Sequence, residues 1–177
     1  MAAKNVTIRP AVPGDAVAIA RIHRDAIRST PAVADHYAPE EIAAWSGGID
    51  TDERRERIAQ AIQEGTHRHL IAELQGTTVG FGVVAPDEGE LRAVYVDPNY
   101  GGRGIGGLLL EALEEAALSA GCRRLWLDAS LNAEAFYLRH GYVSVGRTSH
   151  TFRSGGEIAC VRMEKHLSER GRVPSER

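Results

Sequence analysis

The sequence has few cysteines and few aromatic residues, and it contains no long apolar run. Its only cysteines, Cys122 and Cys160, are too few for a disulfide framework or a set of zinc ligands, so we expect no metal site and two buried thiols in strands. No apolar stretch approaches the roughly 18 residues that a membrane-spanning helix requires. The first residues lack the pattern of a secretory signal, and the sequence therefore predicts a cytoplasmic protein without a membrane partner.

An excess of basic residues is also missing. The chain has 21 Lys and Arg against 24 Asp and Glu, which gives a formal net charge of −3 and argues against nucleic acid as a partner. Its 43% of hydrophobic residues is typical of a globular protein, and 177 residues are enough for one domain with a core. We predict a single domain over residues 1–167 and a polar, disordered tail over residues 168–177.

The most informative stretch is residues 90–120, where a strand, a glycine-rich loop and a helix follow one another. The predicted strand is Glu90–Val96, and five glycines then fall between Gly101 and Gly107. An apolar stripe with helical spacing follows, and Gly121 ends the predicted helix. Such a loop directs backbone N–H groups and the positive end of a helix at one point, which is the geometry that binds phosphate.

Phosphate binding alone leaves several interpretations of this loop open. No Lys-Ser or Lys-Thr pair follows the glycines, so a nucleoside-triphosphate loop is disfavoured. Residues Gly102–Gly107 satisfy the dinucleotide pattern G-x-G-x-x-G, but Asp97–Tyr100 separate them from the strand, which that pattern should follow at once. A plain turn that binds nothing is the third interpretation, although five glycines carry an entropic cost that such a turn does not require.

The rest of the sequence predicts a mixed α/β fold. Further strands are predicted at Val6–Pro10, His69–Leu74, Thr78–Val84, Arg124–Ala129, Tyr142–Phe152 and Glu157–Met163. Further helices are predicted to start near Asp15 and to cover Glu40–Ser46, Asp52–Glu64 and Asn132–His140. The charged face of Asp52–Glu64 is interpreted as a solvated surface. Three antiparallel strands precede the loop, whereas a doubly wound oxidoreductase would alternate strands and helices, so this order disfavours a dinucleotide-binding oxidoreductase.

Two segments resemble the GNAT superfamily of acetyl-CoA-dependent N-acetyltransferases. Val94–Tyr100 followed by Gly102–Gly106 resembles the central strand and pyrophosphate loop of that family. The family usually has Arg or Gln at the position of Gly101, so this chain lacks a side chain there. The segment Asn132-x-x-Ala-Phe-Tyr137-x-x-x-Gly-Tyr142 is similar to the later family motif, with a shorter spacing between Asn and Phe-Tyr.

The resemblance implies a twisted, mostly antiparallel sheet of six or seven strands with helices on both faces. It also implies a β-bulge that separates the central strand from its neighbour and leaves backbone N–H groups free. These groups would bond the pantetheine arm and the thioester oxygen, the loop would hold the two phosphates, and an Asn would hold the sulfur end. The implied cofactor-binding residues are Val94, Tyr95, Val96, Gly102, Arg103, Gly104, Ile105, Gly106, Gly107 and Asn132.

Direct attack of a primary amine on a thioester needs a neutral amine, a polarised carbonyl and a proton for the leaving thiolate. By resemblance, Tyr137 would give its phenolic proton to the sulfur, because a phenol of pKa about 10 is protonated at neutral pH. The alternative is that Tyr137 only packs between helix and sheet. Glu90 would take the proton of the amine, directly or through a water molecule. Asp128 is the alternative base, and a solvent-exposed Glu90 without a role also stays open.

The amine acceptor, a small molecule or a peptide, is expected between the N-terminal helices and the last hairpin, because these elements flank the thioester in the family. The candidate substrate-binding residues are Tyr37, Trp45 and His150. A mildly acidic site lined by aromatic rings would suit a small cationic amine or a polypeptide N-terminus. The predicted function is an N-acetyltransferase that uses acetyl-CoA. A non-catalytic acetyl-CoA sensor is the alternative, and homodimers are frequent in the family.

Overall fold

Seven strands of the described residues form one sheet in a computed structural model that covers residues 5–152 and 155–168. The strands are β1 (Val6–Pro10), β2 (Arg68–Leu74), β3 (Thr77–Ala85), β4 (Glu90–Val96), β5 (Arg124–Ser130), β6 (Val143–Thr151) and β7 (Glu157–His166). Their order in the sheet is β1-β2-β3-β4-β5-β7-β6. Neighbouring strands are antiparallel except for β4 and β5, which are parallel. The predicted mixed, mostly antiparallel sheet is confirmed.

Six helices accompany the strands of this described part. They are α1 (Ala16–Ser29), α2 (Pro31–Ala34), α3 (Pro39–Ser46), α4 (Asp52–Glu64), α5 (Ile105–Ser119) and α6 (Glu134–Arg139). The bounds of α4 and β4 agree with the predicted ones, whereas α2 is a single turn that was not predicted. Apart from Ser168, the predicted tail at 168–177 lies outside the described residues.

Helix α5 covers one face of the sheet with its apolar stripe. Leu109 and Leu113 are fully buried against β2, β3 and β4. Two glycines of β3 make this close approach feasible, because a Cβ at Gly80 would lie 3.0 Å from Leu109 and a Cβ at Gly82 would overlap Leu113. Each buried leucine contributes about 1.5–3 kcal/mol of hydrophobic stabilisation. The packing therefore holds the start of α5 firmly at the end of β4.

Helices α1 and α4 cover the opposite face. Ile19 and Ile22 of α1 and Ile58 of α4 pack against side chains such as Phe81 and Tyr95. Because successive side chains of a strand point to opposite faces, the two helix layers contact alternate residues of β3 and β4. Helices on both faces of the sheet are thus confirmed.

The two cysteines differ in burial. Cys160 is buried in β7, as predicted. The expectation for Cys122 was wrong, because this residue is half-buried in the connection between α5 and β5 and its Sγ lies 3.1 Å from the Arg124 carbonyl oxygen. Among the helices of the described residues, none combines the length and the apolar character that crossing a membrane requires.

Candidate active site

Strand β4 is paired along one edge and open along the other. On one edge it pairs with β3 from Ala85↔Glu90 to Gly80↔Val96. On the other edge, the register with β5 consists of the single pair Glu90↔Trp126. Beyond this pair the two parallel strands diverge, and a cleft opens between them. The predicted separation of the central strand from its neighbour is present.

A bulge at Arg92 changes which side chains of β4 face each helix layer. The register with β3 passes from Val83↔Ala93 to Val84↔Leu91, which leaves Arg92 as the additional residue. Consequently Leu91 packs in the core formed with α5, while Ala93 packs in the core formed with α1. The bulge therefore lies at the point where the cleft begins.

The backbone groups of Val94 and Val96 face the open edge. The Asp97 N–H donates to the Val79 carbonyl oxygen of β3 at 2.8 Å, and the Tyr95 carbonyl oxygen also faces β3. Because neighbouring residues of a strand direct their N–H and C=O groups to opposite edges, those of Val94 and Val96 point toward the cleft. Backbone groups of this kind form strong hydrogen bonds with an extended ligand.

The glycine loop is exposed directly after β4. Gly102 and Gly104 have φ of +71° and +81°, a conformation that favours glycine, and a Cβ at either position would meet open space. The first hydrogen bond of α5 runs from the Leu108 N–H to the Gly104 carbonyl oxygen at 3.2 Å. The N–H groups of residues 105–107 therefore have no partner within the helix. These donors and the positive end of α5 suit a phosphate group.

Asp97 fixes the start of this loop to α1. Its carboxylate is buried and accepts hydrogen bonds from Arg21 Nη1 at 2.8 Å and from the Asn99 N–H at 3.0 Å. Burial raises the pKa of Asp97, but the hydrogen bonds from Arg21 and Asn99 outweigh burial and hold that pKa below its ordinary value. The ionised carboxylate thus anchors the loop at neutral pH.

The second motif packs directly on the first. A Cβ at Gly106 would lie 3.4 Å from the Phe136 ring, and one at Gly107 would lie 3.0 Å from His140 Nε2. The His140 Nδ1 is 2.8 Å from the Phe136 carbonyl oxygen, and since a carbonyl only accepts, Nδ1 carries the proton. The two glycines therefore allow α6 to lie against the first turn of α5.

A cleft of about 590 Å³ follows the open edge of β4. This volume is in the range of small-molecule sites. Seven of the predicted site residues line it, namely Trp45, Val94, Tyr95, Val96, Asn132, Tyr137 and His150. The lining includes Val96, the last residue of β4, and Tyr137, whereas the predicted loop residues Gly102–Gly107 lie outside the lining.

Tyr137 lies at the inner wall of the cleft, where its side chain is 8% exposed. Its ring contacts those of Phe136 and Tyr142, with centroids 5.0 and 5.5 Å away. Burial raises the pKa of the Tyr137 phenol, and the nearby Tyr95 phenol raises it further. The hydroxyl therefore stays protonated at neutral pH, as a proton donor requires.

Asn132 has an unused acceptor in the same wall. Its Oδ1 is buried and has no hydrogen-bond partner among the described residues. Buried polar atoms are nearly always hydrogen-bonded in native proteins, so a ligand that donates an N–H group at this point would satisfy the oxygen.

The predicted acceptor residues divide into two groups. Trp45 and His150 line the cleft, whereas Tyr37 is not among the lining residues. The Tyr37 hydroxyl donates to the Ala159 carbonyl oxygen at 2.7 Å and accepts from the Leu131 N–H at 2.8 Å. Burial is the main cause that raises its pKa to about 12. Its ring lies 5.5 Å from Trp45, so Tyr37 supports Trp45 from behind, and its contact with an acceptor stays a prediction.

The two predicted bases are both ion-paired. Glu90 lies outside the cleft lining, and its carboxylate is 2.9 Å from Arg92 Nε, a residue that does line the cleft. Asp128 lines the cleft, and Arg162 Nη2 donates to its carboxylate at 2.9 Å. Glu90 is therefore linked to the cleft only through Arg92. Asp128 lies in the lining itself, where Arg162 neutralises its charge.

The charge of the lining differs from the prediction. The charged lining side chains in the described part of the chain are Arg54, Arg57, Arg92 and Asp128. Since Arg162 neutralises Asp128, the expected mildly acidic site is wrong, and the cleft is basic. Two of the arginines belong to α4, whose charged face the sequence analysis assigned to a solvated surface.

Three histidines of the cleft, His23, His67 and His69, were not among the predicted site residues. His23 lies on the α1 side of the cleft with its ring 4.3 Å from that of Tyr95. Burial, with a contribution from Arg54, lowers the pKa of His23 to about 3 and keeps it neutral. His69 of β2 also lines the cleft, and burial lowers its pKa. No local signal in the sequence connected these histidines with the site.

A split pair of parallel strands beside an exposed glycine loop defines a protein that binds an extended, phosphate-bearing ligand across its sheet. A family model described as an acetyltransferase (GNAT) domain matches residues 33–167. The chain is 30% identical over 141 residues to the N-acetyltransferase YafP of Escherichia coli K12, which covers 80% of this chain and 83% of that protein.

Solved structures agree with this match. A GCN5-related N-acetyltransferase of Rhodopseudomonas palustris superposes with a TM-score of 0.82 at 34% identity, over 94% of this chain and 99% of that one. The PaiA N-acetyltransferase of Thermoplasma acidophilum, solved with coenzyme A, shares the fold with a TM-score of 0.70 at 22% identity, over 91% and 98% of the two chains. This chain belongs to the GNAT superfamily of acetyl-CoA-dependent N-acetyltransferases. The predicted family, enzyme class and cosubstrate are confirmed.

Proposed function

We propose that the protein transfers the acetyl group of acetyl-CoA to the primary amine of a small molecule by direct attack on the thioester. The observation that carries the proposal is the open edge of β4, which lines the cleft together with Tyr137 and ends at Val96, shortly before the glycine loop. A long ligand with phosphates at one end and a thioester at the other matches this arrangement.

The cosubstrate would bind mainly to the backbone. Val94 and Val96 would bond the amide groups of the pantetheine arm along the open edge, as an added strand does. The loop from Gly102 to Gly107 would hold the diphosphate, and the exposed Arg103, 5.1 Å from the Tyr100 ring, would add a positive charge.

At the sulfur end, the amide oxygen of Asn132 would accept a hydrogen bond from the arm, because no described residue uses that oxygen. Tyr95 lies at the α1 side of β4, where its ring stacks on Phe81 with centroids 5.5 Å apart. This position would place Tyr95 next to the thioester. Ile105 is buried under the loop and would hold the first turn of α5 in place.

In the reaction, the amine nitrogen forms a bond with the carbonyl carbon and the carbon–sulfur bond breaks. Tyr137 would donate its proton to the departing sulfur, and the cleft would exclude competing water. Glu90 would remove the proton of the amine through a water molecule, because its carboxylate lies behind Arg92 and not in the lining of the cleft. Asp128 is the alternative base, and its use would require that Arg162 releases it.

A CoA-release assay with a panel of primary amines tests this proposal. We expect release that depends on both acetyl-CoA and an amine. A protein that binds CoA but releases none with any amine would instead act as an acetyl-CoA sensor.

Location and assembly belong to the same proposal. Because the reaction requires acetyl-CoA, we place it in the cytoplasm, and cell fractionation would test this. A homodimer, which is frequent in the family, stays a prediction that light scattering on the purified protein would check.

A further inference from the structure

Resting on this proposed function, we propose that the acceptor is a small amine that also carries an acidic group, a carboxylate or a phosphonate-like oxyanion. This group would bind at the basic end of the cleft, defined by Arg54 and Arg57 of α4 and by His67 and His69 next to and within β2. The amine of the same molecule would point toward β4.

The two arginines present one cationic surface. Arg54 and Arg57 are three residues apart, which places them on the same side of α4, and both line the cleft. The Arg57 guanidinium lies 3.9 Å from the Glu53 carboxylate, and both side chains are largely exposed. Exposed pairs of this kind contribute little, so Glu53 does not hold Arg57 away from a ligand. A guanidinium binds carboxylate and phosphate oxygens in a bidentate manner.

His67 and His69 add hydrogen-bonding capacity to the same lining. The rings of His67 and His69 lie 6.3 Å apart, and both line the cleft. His69 Nδ1 is buried and has no hydrogen-bond partner among the described residues. Buried polar atoms are nearly always hydrogen-bonded in native proteins, so a polar ligand atom would supply the missing partner.

The other charged side chains of the lining are bound within the protein. Asp128 is bound by Arg162 at 2.9 Å, and Arg92 is shared by Glu88 at 2.6 Å and Glu90 at 2.9 Å. Glu88 also lies 3.6 Å from His67 Nε2. The charged side chains that α4 contributes to the lining, Arg54 and Arg57, are both positive. A partly enclosed positive wall attracts an anionic substrate and repels a polycation.

The phosphates of CoA are not the ligands of these arginines in this account. Helix α4 packs through Ile58 and Ile62 on the face of the sheet that contains Phe81. The glycine loop begins α5, which packs on the opposite face. The basic end and the loop thus belong to different layers, and the two anions would bind at separate places.

The test compares matched acceptors in the CoA-release assay: amino acids, the corresponding amines without the carboxylate, and the corresponding aminoalkylphosphonates. We expect kcat/KM to be at least tenfold higher for the acidic members, and the better of the two acidic series identifies the oxyanion.

Arg57→Gln should raise the KM of acidic acceptors about tenfold while leaving the KM of acetyl-CoA within twofold. Because no side chain of α4 is buried, this variant is expected to fold, and a melting curve checks it. Arg147→Gln, which changes an exposed arginine of β6 outside the cleft lining, is the matched control and should change neither constant.

Two results would overturn the inference. One is an equal or higher kcat/KM for amines without the acidic group. The other is an Arg57→Gln variant that raises the KM of acetyl-CoA and not that of the acceptor. Failure of the proposed function looks different, because then no amine of either series releases CoA.

Discussion

The proposed cofactor end and the proposed acceptor end differ in the groups that they offer to a ligand. At the cofactor end, these groups would be backbone N–H and C=O groups of β4 and of the loop Gly102–Gly107. At the acceptor end, the wall of the cleft consists of charged and ring side chains from α1, α4 and β2. Backbone recognition depends on the path of the chain, whereas recognition by side chains depends on the identity of each residue. In the proposed binding mode, the first end would define the class of reaction and the second the substrate.

Tyr137 stands between the two ends, and its removal should have the largest effect. Tyr137→Phe keeps the ring that packs on Phe136 and Tyr142 but removes the proton donor. We expect kcat to fall about 10³-fold, within the range of general acid catalysis. Calorimetry should show a Kd for CoA within twofold of the wild-type value. Unchanged turnover would remove Tyr137 from the mechanism.

The base is the next test, because it operates on the acceptor side. Glu90→Gln should lower kcat/KM about 10²-fold at neutral pH, because the amine proton then has no carboxylate to accept it. Steady-state kinetics of each variant measure this. If Asp128→Asn shows this loss and Glu90→Gln does not, Asp128 is the base.

A change at the cofactor end should alter one Michaelis constant only. Gly104→Val places a β-branched side chain at φ +81°, and this side chain would shield the loop donors. We expect the KM of acetyl-CoA to rise about tenfold, with the KM of the acceptor unchanged. Gly146→Ala, at an open position of β6, is the control that should change neither constant. A rise in the KM of the acceptor instead would show that the two ends are not separate.

The smallest expected effect is the influence of His23, at the acceptor end, on the free energy of unfolding. His23 has a pKa of about 3 in the folded protein, against 6.5 as its ordinary value. Below pH 6.5, His23 of the unfolded chain binds a proton that His23 of the folded protein does not bind. The contribution of neutral His23 to the free energy of unfolding is therefore fully present above pH 6.5 and is lost as the pH falls toward 3. Between pH 7 and 5.5 the loss should be about 1 kcal/mol. Urea unfolding of the wild type and of His23→Gln measures it, and an equal loss in both would contradict this assignment.

The same contrast explains what the sequence could predict. The strand Glu90–Val96 and the helix from Ile105 are continuous segments whose periodicity is local, and their observed bounds match the expected ones closely. The acceptor end combines residues such as His23, Arg57 and His69, which are distant in the sequence and meet only because α4 packs across the sheet. No local pattern encodes that packing, so the basic charge of the cleft could not be foreseen.

Tyr37 illustrates the same limit. Its position before α3 made it a candidate wall of the acceptor site, but the structure uses its hydroxyl to connect β7 with the segment after β5. Whether a side chain faces a cavity or bonds within the protein depends on partners that lie, in this case, more than 90 residues away.

Coenzyme A should be held by the open edge of β4 and the glycine loop. Thermal melting of the protein with CoA, with NAD and without ligand measures this, because a ligand that binds only the folded state raises the melting temperature. We expect a melting temperature that rises with CoA concentration, no rise with NAD, and a smaller rise with CoA for Gly104→Val. Stabilisation by NAD and none by CoA would exclude this binding mode.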